Sequence, residues 1–186
     1  MRVIRGTLKG KPINYLKNAS TRPLKDAVKE NIFNILEHSN IINLKIIDSD
    51  ILDLYSGIGS FGIECISRGA KKVTFVEQEA NAASILKDNL VKLSISDRSN
   101  IYNDKIEDFL AKDINEKFNI FFLDPPFADT KFFQILKSLK QKKLFKKDHI
   151  VIIHRDKKTK EQFTDFLKII ETRQYGRSKI MFGLFS

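Results

Sequence analysis

A single cysteine, Cys65, stands among the 186 residues. It can form no disulfide within the chain, so a reducing, cytoplasmic setting is expected. No apolar run approaches the roughly 18 residues that a membrane span requires, and the N-terminal segment MRVIRGTLKGKPI lacks the apolar core of a secretion signal. The three histidines, His38, His149 and His154, lack metal-ligand spacing. His149 and His154, five apart on a predicted strand, face opposite sides of it, and no metal site is expected. Repeats and low-complexity segments are absent. What is present is a 42% hydrophobic composition, too apolar for a disordered chain, at a length that suits one domain around a single core.

The net charge is +10, and it is unevenly placed. Residues 1–30 hold eight basic and two acidic side chains, residues 31–130 ten and sixteen, and residues 131–186 fifteen and five. A uniform lysine bias would raise the charge everywhere, whereas here the middle is acidic. The segregation predicts an anionic partner, most simply nucleic acid, held by the two ends around a differently occupied centre.

The periodicity predicts a short β-hairpin or arm over 1–17 and an amphipathic helix from Pro23 to about Glu37, with Leu24, Ala27, Val28, Ile32, Ile35 and Leu36 on one side. Strands and helices then alternate: strands at 51–55, 72–76, 100–102, 118–123 and 149–154, and helices at 61–68, 79–93, 106–111, 130–140 and 160–168. Two final strands, 168–174 and 179–185, flank a turn at 175–178. The alternation predicts an α/β, Rossmann-like doubly wound sheet, mostly parallel, with a C-terminal antiparallel hairpin. We divide the chain into an N-terminal extension, 1–40, and a main domain, 41–186.

Between the first strand and the next helix lies Asp53-Leu54-Tyr55-Ser56-Gly57-Ile58-Gly59-Ser60-Phe61-Gly62. Glycines let a backbone turn sharply and approach a ligand beside a helix N-terminus. Glu77, twenty residues beyond Gly57, ends the following strand, where an acid can accept from both ribose hydroxyls of an adenosine cofactor. Gly57, Gly59 and Gly62 also satisfy the G-x-G-x-x-G dinucleotide pattern, weak evidence by itself. A carboxylate at Asp53, four residues before the first glycine, would repel a pyrophosphate but suits the sulfonium and ammonium of S-adenosylmethionine. Tyr55 and Ser56 belong to the same cofactor loop.

Asp124-Pro125-Pro126-Phe127 follows the strand at 118–123. Adjacent prolines remove two backbone donors and leave carbonyls free to accept. The Asp124 carboxylate and the Pro125 carbonyl can then hold the two N–H groups of an exocyclic amine, leaving the nitrogen lone pair directed at an electrophile. Phe127 would stack on a base flipped into the pocket.

At these residues the chain resembles class I S-adenosylmethionine-dependent methyltransferases acting on amino groups, and more closely the RsmD-type methyltransferases of guanine N2 in bacterial 16S ribosomal RNA. The resemblance is carried by Met1–Lys11, Thr21–Leu36, Ile51–Gly62 and Phe122–Phe127, and the ending Tyr175–Leu184 is similar to the family's last hairpin. It implies that the Asp53–Gly62 loop and Glu77 bind S-adenosylmethionine and that Asp124, Pro125, Pro126 and Phe127 hold the guanine amine. It implies too that the N-terminal arm meets RNA; Arg5, Lys9, Lys11 and Arg22 are the candidate contacts. The family often has an acid or amide followed by alanine after the third strand, contacting the adenine. Here Lys105 falls at that place, and Asp104 or Asn103 could serve with a one-residue shift. The expected partner is 16S ribosomal RNA, free or in a partly assembled small subunit, met by a monomer. The rivals are methylation of adenine N6 in DNA or RNA, methylation of a protein glutamine, an RNA-binding assembly factor, and an NAD-dependent oxidoreductase.

Overall fold

The segments 51–54, 120–123 and 150–153 are almost wholly Ile, Leu, Val and Phe, and nearly every one of these side chains is buried. Runs apolar on both faces belong in the middle of a parallel sheet covered on both sides, and that is where they lie in this computed structural model, which describes residues 1–15, 24, 26–39, 42, 44–163 and 165–186. The strands are β1 (Asp50–Leu54), β2 (Lys72–Val76), β3 (Ser99–Tyr102), β4 (Phe118–Leu123), β5 (Phe145–Asp156), β6 (Leu167–Tyr175) and β7 (Ser178–Phe185). They form one seven-stranded sheet in the order β3-β2-β1-β4-β5-β7-β6. The first five are parallel, and β7 pairs antiparallel with both β5 and β6. The doubly wound, class I methyltransferase architecture expected from the sequence is present.

The helices are α1 (Asp26–His38), α2 (Ser60–Ser67), α3 (Ala80–Lys92), α4 (Ile106–Ala111) and α5 (Phe132–Gln141). α1, α2 and α3 share one buried cluster on one face of the sheet, together with Val3, Leu8 and Ile13 of the N-terminal arm. α4 and α5 close the other face through Ile106, Phe109, Phe132, Ile135, Leu136 and Leu139. The expected helix start at Pro23 lies outside the described residues, as do Arg22 and Lys25. Within residues 1–15 the two limbs pair antiparallel as a short hairpin, with Arg2 bridged to Pro12 and backbone bonds from Val3 to Lys11 and from Ile13 to Met1, and this arm is stitched to α2. The amides of Ile4 and Arg5 donate to the Glu64 carboxylate at 2.8 and 2.9 Å, and those of Thr7 and Leu8 donate to Ser67.

Two boundaries differ from expectation. β5 begins at Phe145, four residues earlier than the apolar run indicates, because Phe145 already pairs with Phe118 before a register shift. The helix expected over 160–168 is not formed among its described residues: 160–163 run without regular structure and β6 starts at Leu167. Glu161 is drawn instead onto Arg155 and Lys179. Phe163 packs against Phe132 and Phe133 and edge-on to Phe166, which lies beneath the Lys137 ammonium.

The register positions the site. Leu54 pairs with Leu123 and Leu123 with Ile153, so β1, β4 and β5 reach the same level and the residues after them share one edge of the sheet. α2 starts at that edge and carries the chain away from it by about 1.5 Å per residue, roughly 12 Å over its length.

Candidate active site

The loop after β1 turns on three left-handed residues, Tyr55 at φ 58°, Gly57 at φ 54° and Gly59 at φ 82°. A Cβ on Gly57 would meet nothing within 4 Å, so this glycine leaves room beside the loop rather than serving internal packing. Gly62 is the opposite case. A Cβ there would lie 2.3 Å from the Phe75 ring and 2.8 Å from Val73, so its smallness lets α2 sit tightly on β2. Gly62 therefore shapes the loop from beneath through packing and through its amide, which donates to Asp53 Oδ2 at 3.0 Å.

Asp53 is 1% exposed, and burial pushes its carboxyl well above the ordinary carboxylate range. The Gly62 amide opposes that shift, while the nearby Asp124 and Glu77 add to it. Glu77, at the end of β2, accepts from the Gly57 amide at 2.7 Å through Oε2 and from the Glu79 amide at 2.8 Å through Oε1. Each carboxylate oxygen keeps a second lone pair for a ligand hydroxyl. Ser56 Oγ is buried and, among the described residues, has no hydrogen-bond partner, a cost that such groups normally avoid. A loop with an orphaned hydroxyl, an open glycine and two neighbouring acids fits the cationic, hydroxyl-rich cofactor expected from the sequence.

The candidate adenine contacts separate. Asn103 Nδ2 donates to the Glu77 carbonyl at 2.8 Å, whereas Asp104 is turned toward Lys112, just past the end of α4, at 2.5 Å. Asn103 is thus the member of the pair that is tied to the cofactor acid's own backbone.

On the same edge, Asp124 follows β4 directly. Its Oδ1 is held 2.7 Å from His154 Nδ1, and the ring's Nε2 lies 2.9 Å from Ser178 Oγ. Because a carboxylate only accepts, the consistent tautomer donates Nδ1–H to Asp124 and accepts the Ser178 hydroxyl at Nε2. Among the described residues no protein donor reaches Asp124 Oδ2 or the Pro125 carbonyl, so both remain as acceptors. Phe127 is 42% exposed and packs edge-to-face with His154. The carbonyls of Pro126 and Phe127 are not free, as adjacent prolines alone would suggest. Arg155 Nη1 and Nη2 donate to them at 2.9 and 2.8 Å, and the Asp129 amide also donates to Pro126. Arg155 in turn is paired with Glu161 and lies over the Phe132 ring.

One contact joins the two loops. The Tyr55 hydroxyl donates to Asp129 Oδ2 at 3.0 Å. Burial, followed by the Asp129 charge, pushes the phenol above its usual range and keeps it a donor.

The sequence reading missed His154 and Arg155. In the sequence His154 stands out only as a histidine without metal-ligand spacing, and Arg155 only as one of the basic residues. The available signal was positional: a buried parallel strand whose last residues turn polar at the level of Asp124. Cys65 is a core residue, fully buried, with its thiol pushed up by that burial. Arg5, Lys9 and Lys11 are not brought to this edge. They lie on the arm, whose tip bonds Ser67 at the far end of α2, and the Arg5 guanidinium pairs with Glu37 at 3.3 Å.

The family model described as conserved hypothetical protein 95 matches residues 1–184. Ribosomal RNA small subunit methyltransferase D of Haemophilus influenzae is 40% identical over 129 residues, covering 68% of this chain and 64% of that protein. The protein of the same name from Buchnera aphidicola subsp. Baizongia pistaciae is 30% identical over 185 residues, covering 100% of this chain and 91% of that one. A solved Escherichia coli chain superposes with a TM-score of 0.85 over 100% of this chain and 98% of its own; at 22% identity that likeness bears on the fold alone.

Proposed function

The chain belongs to the conserved hypothetical protein 95 family, that of the RsmD-type methyltransferases, and from this premise we propose that it transfers a methyl group from S-adenosylmethionine to the exocyclic N2 amine of a guanine in 16S ribosomal RNA. The observation that carries this reading is the pairing of two unengaged acceptors, Asp124 Oδ2 and the Pro125 carbonyl, on the same sheet edge as the glycine loop. An amine with two N–H groups matches two acceptors, and its lone pair then points away from them.

S-adenosylmethionine, when bound, supplies an electrophilic methyl group on a sulfonium. Glu77 and the 55–59 loop hold the nucleoside end, with Asn103, tied to the Glu77 carbonyl, as the flanking adenine contact. Asp53 lies beneath as the counter-charge. Asp124 orients the amine and takes its proton late in the reaction. His154 fixes the carboxylate rotamer through Nδ1–H, and Ser178 fixes the imidazole tautomer. Phe127 stacks on the flipped guanine, and Arg155 keeps the turn that carries it in place. The arm, through Arg5, Lys9 and Lys11, would extend the RNA contact away from the reacting edge, and Arg22 is a further candidate contact. The expected setting is the cytoplasm, with a monomer acting on naked RNA or on a partly assembled small subunit.

The test is methylation of 16S ribosomal RNA and of small-subunit particles in vitro, with nucleoside mass spectrometry of the product. N2-methylguanosine is expected, lost in Asp124→Ala while cofactor affinity persists. Formation of N6-methyladenosine, or of methylglutamine in a ribosomal protein, would overturn the substrate assignment.

A further inference from the structure

We infer that Lys157, Lys158, Lys160 and Arg177 form a phosphate-binding rim beside the catalytic turn, which grips the RNA backbone next to the target guanine. The inference rests on the function proposed above and locates its substrate on the molecule.

β5 runs from His154, which holds Asp124, through Asp156 into a turn that bears Lys157 and Lys158. At about 3.3 Å per residue, Lys157 lies on the order of 10 Å along the strand from His154. The β6–β7 turn comes alongside: the Lys157 amide donates to the Arg177 carbonyl at 2.9 Å, and Asp156 pairs with Ser178, whose hydroxyl touches His154. All four cationic residues are exposed. Asp156 is the one acid within this turn pair. It accepts the Lys158 amide and lies 3.6 Å from Arg177; the amide bond foremost, with the Arg177 charge, holds its carboxyl below the ordinary range. The rim so defined carries a net +3.

Lys179 and Arg155, cross-strand partners on β7 and β5, do not belong to it, being buried on Glu161. The one carboxylate among these ammonium and guanidinium groups, Asp156, is engaged by the Lys158 amide and by Arg177, so the group suits phosphate positioning rather than sequence readout. An exposed Phe127 beside them supplies a stacking platform for a base, which points to RNA rather than to a lipid surface. The arm, by contrast, has its tip a helix length away from the reacting edge.

The experiment compares the full chain with a K157A/K158A/K160A/R177A variant for 16S ribosomal RNA binding as a function of salt, and for the KM of RNA in methyl transfer. At about 0.7 per phosphate contact on single strands, the log–log salt slope should become shallower by roughly 2 to 3, and KM should rise at least tenfold, with S-adenosylmethionine affinity unchanged. A K9A/K11A variant should shift both quantities less. An unchanged slope and KM in the rim variant, with the unsubstituted protein active on RNA, would overturn the rim alone. An unsubstituted protein that does not methylate RNA would instead overturn the function on which it rests. Should the fourfold variant lose its fold, Lys158→Glu and Lys160→Glu, each at an exposed side chain, carry the same comparison with a larger expected KM effect per site.

Discussion

Replacing Arg155 by Met tests whether the catalytic turn is held from beneath. The Arg155 and Glu161 side chains are each 3% exposed, and the guanidinium makes three contacts: two carbonyls of the turn and one carboxylate. Hydrogen bonds from a charged donor contribute about 1.5–3 kcal/mol each, and removing one partner of a buried ion pair costs about 3–5 kcal/mol. Burial alone would raise the Glu161 carboxyl, yet bonds from Lys179, Thr159 and Arg155 hold it below its ordinary range. Lys179 remains as its partner at 2.5 Å after the substitution, so the lower end of that range applies. The expected loss is about 3 kcal/mol of unfolding free energy, a large part of the roughly 5–15 kcal/mol typical of a domain. Urea unfolding measures it directly. Both carbonyl bonds act on Pro126 and Phe127, so part of the loss should reappear in turnover, about tenfold for each 1.4 kcal/mol of positioning forfeited. Arg155→Lys, which keeps the charge but not the planar fork, should recover much of the stability and little of the turnover. If Arg155→Met lowers the unfolding free energy by less than about 1 kcal/mol and leaves kcat within about twofold, the turn is held by something else and the reasoning fails.

The remaining predictions concern the other three contacts that organise the site. His154→Asn retains a donor close to the Nδ1 position and should keep turnover within about tenfold, whereas His154→Phe, which cannot donate to Asp124, should lower kcat by about 100-fold with little change in RNA KM, the loss of a charge-assisted bond being about 1.5–3 kcal/mol. Equal losses in the two variants would show that the imidazole matters for packing alone. Tyr55→Phe removes the bridge to Asp129 and should destabilise by about 1 kcal/mol, while separating cofactor affinity from RNA affinity in a binding cycle; undiminished coupling would rule out the bridge as a link. For Asp53, burial favours the neutral acid and a bound cation favours the charged one. Cofactor binding should therefore release protons, and affinity should climb with pH up to the elevated value of the free protein and level off above it. Calorimetry in buffers of different ionisation enthalpy reads the proton count, and a count of zero across the acid range would separate Asp53 from the cofactor. Asp53→Asn should flatten the pH profile.

Much of this molecule is legible in its sequence because two simple periods carry the information. Buried parallel strands read as unbroken apolar runs, and 118–123 is found where expected to the residue. The glycine loop and the Asp124–Phe127 tetrad are contiguous, so their chemistry survives without coordinates. What is lost is whatever depends on register between distant segments. Nothing in the chain order puts His154 against Asp124, thirty residues away, or Arg155 beneath Pro126; both follow from the level pairing of Leu123 with Ile153. The false helix at 160–168 has the same origin. Its local composition permits a helix, and the buried demand of Arg155 and Lys179 for a counter-ion overrides that permission. Asp53 and Gly62 show a subtler gap, since both belong to the cofactor loop by sequence but act on it from inside the core.

The charge distribution is where coordinates alter the argument most. Summing side chains gives surpluses at both ends of the chain, but a cation counted in sequence contacts phosphate only if it is exposed and near the substrate. Lys29 is fully buried beside Glu64 and Ser60, its ammonium disfavoured by that burial, and Arg5 is paired with Glu37. Arg155 and Lys179 neutralise Glu161 inside the protein. The three buried ones leave the tally of available cations, and Arg5, Lys9 and Lys11 are exposed on the arm, whose tip lies at the far end of α2. The exposed rim after β5 is the basic group that shares an edge with Asp124, so a short reach of RNA suffices to deliver a flipped base there. Four phosphate contacts at about 0.7 each predict a log–log salt slope near −3 for productive binding. A slope twice as steep would mean that the arm and the rim engage RNA together, and that the bound RNA spans the whole height of the sheet rather than one edge of it.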